Sequence, residues 1–196
     1  WRAEAVRKAQ IPAQGRVLDL GAGTGDLARE VLHQGAGRSV IAVDFTRAMM
    51  TAGKASMPEA IRWAQGDGLH LPFAAGSFDA VVSAFLLRNV SDVQQLLRES
   101  WRVLRPGGHW VALETTPLQA GWMTPLASFH ERRVIPWLGK MITGRGEDYR
   151  YLAETSAHFL GAEALANLLR QTGFSQVGFE RLTFGAVAIH WGVKAP

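Results

Sequence analysis

The sequence predicts an α/β fold: one mostly parallel sheet with helices on both faces, finished by an antiparallel hairpin. Three observations lead there. Short apolar runs alternate with helically spaced segments, as in consecutive βαβ units. A glycine-rich turn, Gly21-Ala-Gly-Thr-Gly25, joins the first run to the first helical pattern. Two late runs, Gln176–Thr183 and Ala186–Trp191, are parted only by Phe184-Gly185, the signature of a hairpin.

The elements follow in order. Arg16–Leu20 reads as a strand, and helical spacing continues from the glycine turn to about Gln34. Ser39–Val43 is a second strand, ending at Asp44, so the unit spans about 30 residues and its crossover is expected to be right-handed. A helix over Thr46–Ala55 precedes a strand over Ile61–Gly66. Phe78–Phe85 is almost continuously apolar, as befits a strand covered on both faces. Ser91-Asp-Val-Gln94 has the spacing of a capping box and is expected to open a helix to Leu104, closed by Pro106-Gly-Gly108. His109–Glu114 is the next strand, and a helix over Ala162–Gln171 stops at Gly173. Between them, at about 117–160, lies a less regular, aromatic-rich insertion holding Trp122, Met123, Phe129, Trp137, Met141, Tyr149 and Tyr151. The 196 residues are thus expected to form a single domain, 1–196, carrying one insertion.

Composition narrows the function. Hydrophobic residues at 47% and charged residues at 19% exclude wholesale disorder. The absence of cysteine excludes disulfide scaffolds, thiolate metal sites and cysteine nucleophiles. No metal constellation is visible among the six histidines, so no metal is expected. No apolar run approaches the roughly 18–20 residues of a membrane span. The net charge is +4, and the isoelectric point near 10 overstates it, because little titrates between histidine and lysine. The longest basic cluster is Arg132-Arg133, too short to track a phosphate backbone, so no nucleic-acid partner is expected. The chain opens on Trp1 rather than methionine, and a segment is expected ahead of it.

Chemistry concentrates at successive strand ends. In Asp19-x-Gly21-x-Gly23-x-Gly25 the glycines allow positive φ and close approach of a ligand to the backbone. A dinucleotide fingerprint would place its third small residue where Asp26 stands, and Asp26 would repel a pyrophosphate. The tighter spacing resembles the S-adenosylmethionine (SAM) loop of class I methyltransferases. Asp44 ends the second strand, where a carboxylate accepts ribose hydroxyls; helix capping is the competing role, for which Thr46 is better placed. Asp67-Gly68 ends the third, where an acceptor meets the adenine amino group.

Further motifs occur in order: Gly66-Asp-Gly-Leu-His-Leu-Pro-Phe73, Phe85-Leu-Leu-Arg-Asn-Val90, Arg102-Val-Leu-Arg-Pro-Gly-Gly108, Asp148-Tyr-Arg-Tyr-Leu-Ala-Glu154 and Gly185-Ala-Val-Ala-Ile-His-Trp-Gly192. Over nearly the whole chain they resemble the ubiquinone/menaquinone-biosynthesis C-methyltransferases. The resemblance implies a Rossmann-like seven-stranded sheet, SAM as methyl donor and a prenylated hydroquinone as acceptor. By position it assigns Thr24, Asp44, Asp67 and Gly68 to SAM, alongside Asp19, Gly21, Gly23, Gly25 and Phe45. A family serine that contacts SAM falls on Ala84, with Ser83 one residue away, and Ser83 joins the expected set. Leu86 stands where the family usually has glycine, which narrows the quinol pocket. Glu114-Thr-Thr-Pro117 and Leu160 also depart from the family pattern.

Methylation at a ring carbon needs an ionised or polarised neighbouring hydroxyl. Arg88, just past the fourth strand, is expected to stabilise the developing oxyanion; a structural bridge to the sheet edge is the competing reading. His190 is one candidate base, and a satisfied core histidine is the alternative. Asn89, His130, Tyr149 and Tyr151 are candidate substrate ligands. The aromatic stretch with Arg132, Arg133 and Lys140 suits a membrane-facing entrance, so a cytoplasmic protein with transient membrane-surface contact is expected. A SAM enzyme for another small molecule, or a noncatalytic SAM-binding protein, are the competing functions.

Overall fold

The computed structural model describes residues 1–117 and 159–195. His130, Tyr149, Tyr151 and the rest of the insertion's core therefore lie outside the described residues. In chain order the elements are α1 (Arg2–Lys8), β1 (Arg16–Leu20), α2 (Asp26–His33), β2 (Ser39–Asp44), α3 (Arg47–Ser56), β3 (Ile61–Gln65), β4 (Phe78–Ala84), α4 (Val93–Val103), β5 (Leu104–Thr115), α5 (Ala162–Thr172), β6 (Phe174–Leu182) and β7 (Val187–Lys194). One seven-stranded sheet has the order β3-β2-β1-β4-β5-β7-β6. The first five strands run parallel, and β7 pairs antiparallel with both β5 and β6.

The central strands are apolar on both faces because both are covered. On one face α1 and α2 bring Val6, Leu27 and Val31 against Val17, Val40, Val82 and Val111. On the other α4 and α5 bring Leu96, Leu97, Leu165 and Leu169 against Leu18, Val81 and Trp110. Each such buried leucine contributes about 1.5–3 kcal/mol. Lys194, near the end of β7, donates to the carbonyls of Trp101 and Leu104, 2.9 and 2.8 Å away, and so satisfies the C-terminal end of α4.

Three local expectations change. Helix α1 carries no glycine or cap signal, yet Ala5, Val6 and Ala9 bury one small face. The N-cap of α4 is Asp92, not Ser91: its carboxylate accepts the Gln95 amide at 2.9 Å, and Gln95 turns away to the Leu69 carbonyl. Strand β5 begins at Leu104, so Pro106-Gly-Gly108 lies inside it, where the pairing with β4 shifts register between Phe78 and Ala80.

Candidate functional site

The strand order reverses between β1 and β4, and in open α/β sheets ligands bind outside such a switch point at the carboxyl ends of the strands. A cavity of about 630 Å³ opens there. It crosses the ends of β3, β2, β1 and β4, three strand spacings or about 14 Å, long enough for a nucleoside with an amino-acid tail.

The glycine loop forms one wall. Gly21, Gly23 and Gly25 all have positive φ (+70°, +56° and +89°), as the spacing predicts. Gly21 and Gly23 line the cavity. Gly25 instead packs against Trp63, whose ring lies 2.8 Å from where a Cβ would sit. Thr24 does not line the cavity either; its hydroxyl points to Asp26 at 3.4 Å.

Asp44 occupies the mouth beside Phe45, which is 75% exposed. One carboxylate oxygen accepts the Gly23 amide at 2.8 Å and the other the Thr46 amide at 2.7 Å. The carboxylate therefore fastens the glycine loop to β2, and each oxygen retains a lone pair for a ribose hydroxyl. Thr46 occupies the N-cap of α3 without a side-chain hydrogen bond, and Asp44 holds only the Thr46 amide, ahead of the helix. Asp67 accepts the Leu69 amide at 2.9 Å and lines the cavity with Gly68.

Asp19 sits behind the loop rather than in the cavity. It is buried and accepts the Ala28 amide at 2.9 Å, capping α2 from a neighbouring strand. Burial pushes its carboxyl up to about 7, with the Ala28 N–H working the other way. Ser83 is also buried away from the cavity, and Ala84 lines it. Successive strand residues face opposite sides, so the one-residue offset decides this. The adjacent Phe85 adopts φ +59°, uncommon for an aromatic residue and costing about 1–3 kcal/mol. It turns the chain so that Phe85, Leu86, Asn89, Val90 and Ser91 form the far wall.

Arg88 and His190, the expected catalytic residues, do not line the cavity among the described residues. The Arg88 side chain is only 6% exposed and pairs with Glu114 at 2.5 Å, lying over the Phe85 ring rather than in the cavity. Glu114 also accepts the Leu87 amide at 2.8 Å, so this pair ties the turn over residues 87–89 to β5. Glu114 carried no signal beyond its place at a strand end. His190 lies in the core, between Phe179 and the Ala162 carbonyl, to which its Nε2–H donates at 3.0 Å. Burial lowers it to about 4, and it is not among the residues lining the cavity. The ionisable side chains lining the cavity, among the described residues, are Asp44 and Asp67. No described group of His, Asp or Glu could hold a metal ion.

Residues 1–194 match the family described as the ubiE/COQ5 methyltransferase family. The chain belongs to that family. A ubiquinone/menaquinone biosynthesis C-methyltransferase UbiE from Desulfotalea psychrophila is 42% identical over 196 residues, spanning 99% of this chain and 79% of the relative. A demethylmenaquinone methyltransferase from Thermus thermophilus is 40% identical over 195 residues, spanning 98% and 88%. Among solved structures, a Haemonchus contortus phosphoethanolamine N-methyltransferase 2 in complex with S-adenosyl-L-methionine aligns with a TM-score of 0.73 at 16% identity, covering all of this chain and 52% of its own. The [4+2]-cyclase SpnF aligns as well, at 0.74 and 16%, covering 99% and 79%. Structural likeness at that identity establishes the fold alone; membership of the ubiE/COQ5 family makes this chain a SAM-dependent methyltransferase.

Proposed function

We propose that this ubiE/COQ5 family member transfers a methyl group from SAM to a ring carbon of a prenylated hydroquinone. The observation that carries the reading is the match to that family over residues 1–194, joined to a cavity that suits both partners. Its volume falls within the roughly 300–1,000 Å³ usual for small-molecule sites. The residues fit SAM: Asp44 would accept ribose hydroxyls, Phe45 would lie against the adenine, Asp67 would accept its amino group, and Gly21 and Gly23 would let the ligand approach the backbone. When bound, SAM supplies an electrophilic methyl group on a positive sulfonium.

The chain's own residues then position the acceptor. Leu20, Leu69, Phe85, Leu86, Val90 and Leu96 form an apolar wall that excludes water and holds an aromatic ring. Asn89 and Ser91 are the polar groups at this end and suit ring hydroxyls. Arg88 and Glu114 act from behind the wall by fixing its turn. No described helix is long and apolar enough to cross a membrane.

The test is incubation with isotopically labelled SAM and a panel of reduced quinones, read by mass spectrometry. Methyl label on a quinol ring is expected. Tight SAM binding without transfer to any quinol, or transfer only to unrelated phenols, overturns the reading.

A further inference from the structure

Residues 66–77, between β3 and β4, form no helix or strand, yet they carry Asp67, Gly68 and Leu69 to the cavity wall. The backbone of such a segment must find its partners outside a ladder. Its ends are tied by main-chain bonds: the Gly66 amide donates to the Asp44 carbonyl at 3.1 Å, and the Ser77 amide to the Val103 carbonyl at 2.8 Å. Its middle is held by side chains of α4. Gln95 donates to the Leu69 carbonyl at 3.1 Å, and Glu99 accepts the Leu71 amide at 2.7 Å. Arg102 donates to the carbonyls of Leu71 and Phe73 at 2.9 and 2.7 Å. The spacing i, i+4, i+7 puts all of these bonds on one face of the helix.

Glu99 and Arg102 also join each other through two bonds of 2.7 and 2.8 Å. An ion pair within one helix turn at a surface ordinarily contributes little. Here both partners reach the same neighbouring segment. The Arg102 guanidinium holds the Glu99 carboxyl below its ordinary value, which keeps it an ionised acceptor for the Leu71 amide. Leu96, on the same helix, packs its Cδ1 atom 3.2 Å from where a Gly68 Cβ would sit. Asp67 opens a turn, its carbonyl accepting the His70 amide at 3.1 Å and its side chain the Leu69 amide at 2.9 Å. The residues that follow this turn hang on α4, so α4 fixes the direction of Asp67.

We propose that Gln95, Glu99 and Arg102 are positioning residues for the methyl donor: from behind the cavity wall they hold Asp67 where it would meet the adenine amino group, and so set the affinity for SAM. None of the three lines the cavity. This deepens the proposed function and rests on its assignment of Asp67. A turn fixed in advance binds more tightly than one that must be ordered by the ligand. Loosening the α4 grip should therefore weaken SAM only as far as Asp67 itself contributes to binding.

The experiment is a double-mutant cycle read by calorimetry with SAM alone, so it needs no acceptor. Arg102→Leu and Gln95→Ala are measured in the wild-type background and again with Asp67→Asn, which keeps an acceptor for the Leu69 amide; melting temperature checks folding. Arg102→Leu should weaken SAM about tenfold, Gln95→Ala about fivefold and Asp67→Asn about tenfold. With Asp67→Asn in place, the two α4 substitutions should each weaken SAM less than about twofold further, a coupling that a merely structural role would not produce. Should Arg102→Leu fail to fold, Gln95→Ala decides by the same criterion. Asp67→Asn weakening SAM while the α4 substitutions leave it unchanged overturns the proposal alone. Equal losses in both backgrounds do the same, since they make α4 a general support of the fold. An Asp67→Asn variant that binds SAM as wild type does overturns the Asp67 assignment and this proposal with it.

Discussion

Breaking the Arg88–Glu114 pair should unfold the protein before it touches the chemistry. Both side chains are buried, 6% and 1% exposed, and the ion pair measures 2.5 Å. Removing one partner of such a pair leaves an uncompensated charge, at about 3–5 kcal/mol. In Arg88→Met the Glu114 carboxylate keeps the Leu87 and Thr115 amides, so the loss belongs at the lower end, about 3 kcal/mol. In Glu114→Gln the guanidinium keeps only a neutral acceptor, and the loss belongs near 5, at about the upper bound. The double variant removes both charges and should cost less than the sum of the two single losses, with a coupling energy of up to about 3 kcal/mol. At this chain length a loss of about 3 kcal/mol lowers the melting temperature by roughly 6–12 °C. Urea and thermal unfolding followed by circular dichroism measure the cycle. The reasoning fails if Arg88→Met matches wild-type stability within about 0.5 kcal/mol while methyl transfer falls about 10²-fold, for then the guanidinium acts on the reaction.

Asp44→Ala should weaken SAM binding by about 1.5–3 kcal/mol in calorimetry, since it removes charge-assisted hydrogen bonds and unfastens Gly23. Gly53→Ala should cost about 1–3 kcal/mol in urea unfolding and weaken SAM binding, because a Cβ there would meet Trp63 at 2.5 Å and the Thr24 carbonyl at 2.8 Å, prying α3 from the loop. His190→Leu should flatten the acid side of the stability curve. The folded histidine resists protonation down to about 4 while the unfolded one titrates near 6.5, so wild type loses stability as pH falls from about 6.5 to 4, by roughly 3 kcal/mol, and the variant does not.

The fold could be read from the sequence because periodicity reports burial, and burial shapes every strand of this sheet. Val17, Leu18 and Leu20, Val40–Val43 and Ala80–Val82 are apolar because helices cover both faces. The meeting of the glycine loop and the strand-end acids at one cavity was equally visible, since glycines and acids at strand ends have few other reasons to recur in that order. The far wall was not. Arg88 and His190 are polar residues beside a cavity in sequence, and only three-dimensional register decides whether such residues face inward. Arg88 turns inward to meet Glu114, 26 residues away, and His190 meets Ala162, 28 residues away. Ser83 and Ala84 differ by one position and therefore by a whole face. Helix α1 was missed because its alanines satisfy helical packing without advertising it.

The placement of β7 between β5 and β6 makes the growing chain vulnerable during synthesis. Strand β5 is complete at Thr115, but its outer hydrogen-bonding edge stays bare until β7 begins at Val187. About 70 residues must be made in that interval, roughly 4–14 s at 5–20 residues per second. Through that time an apolar strand with unpaired N–H and C=O groups is open to any passing edge. The glycine loop, Asp44 and Asp67, at and just beyond the ends of β1 to β3, precede it. The glycine and acid wall of the cavity is thus assembled early on a platform that becomes safe from aggregation only when the last strand slots into the interior.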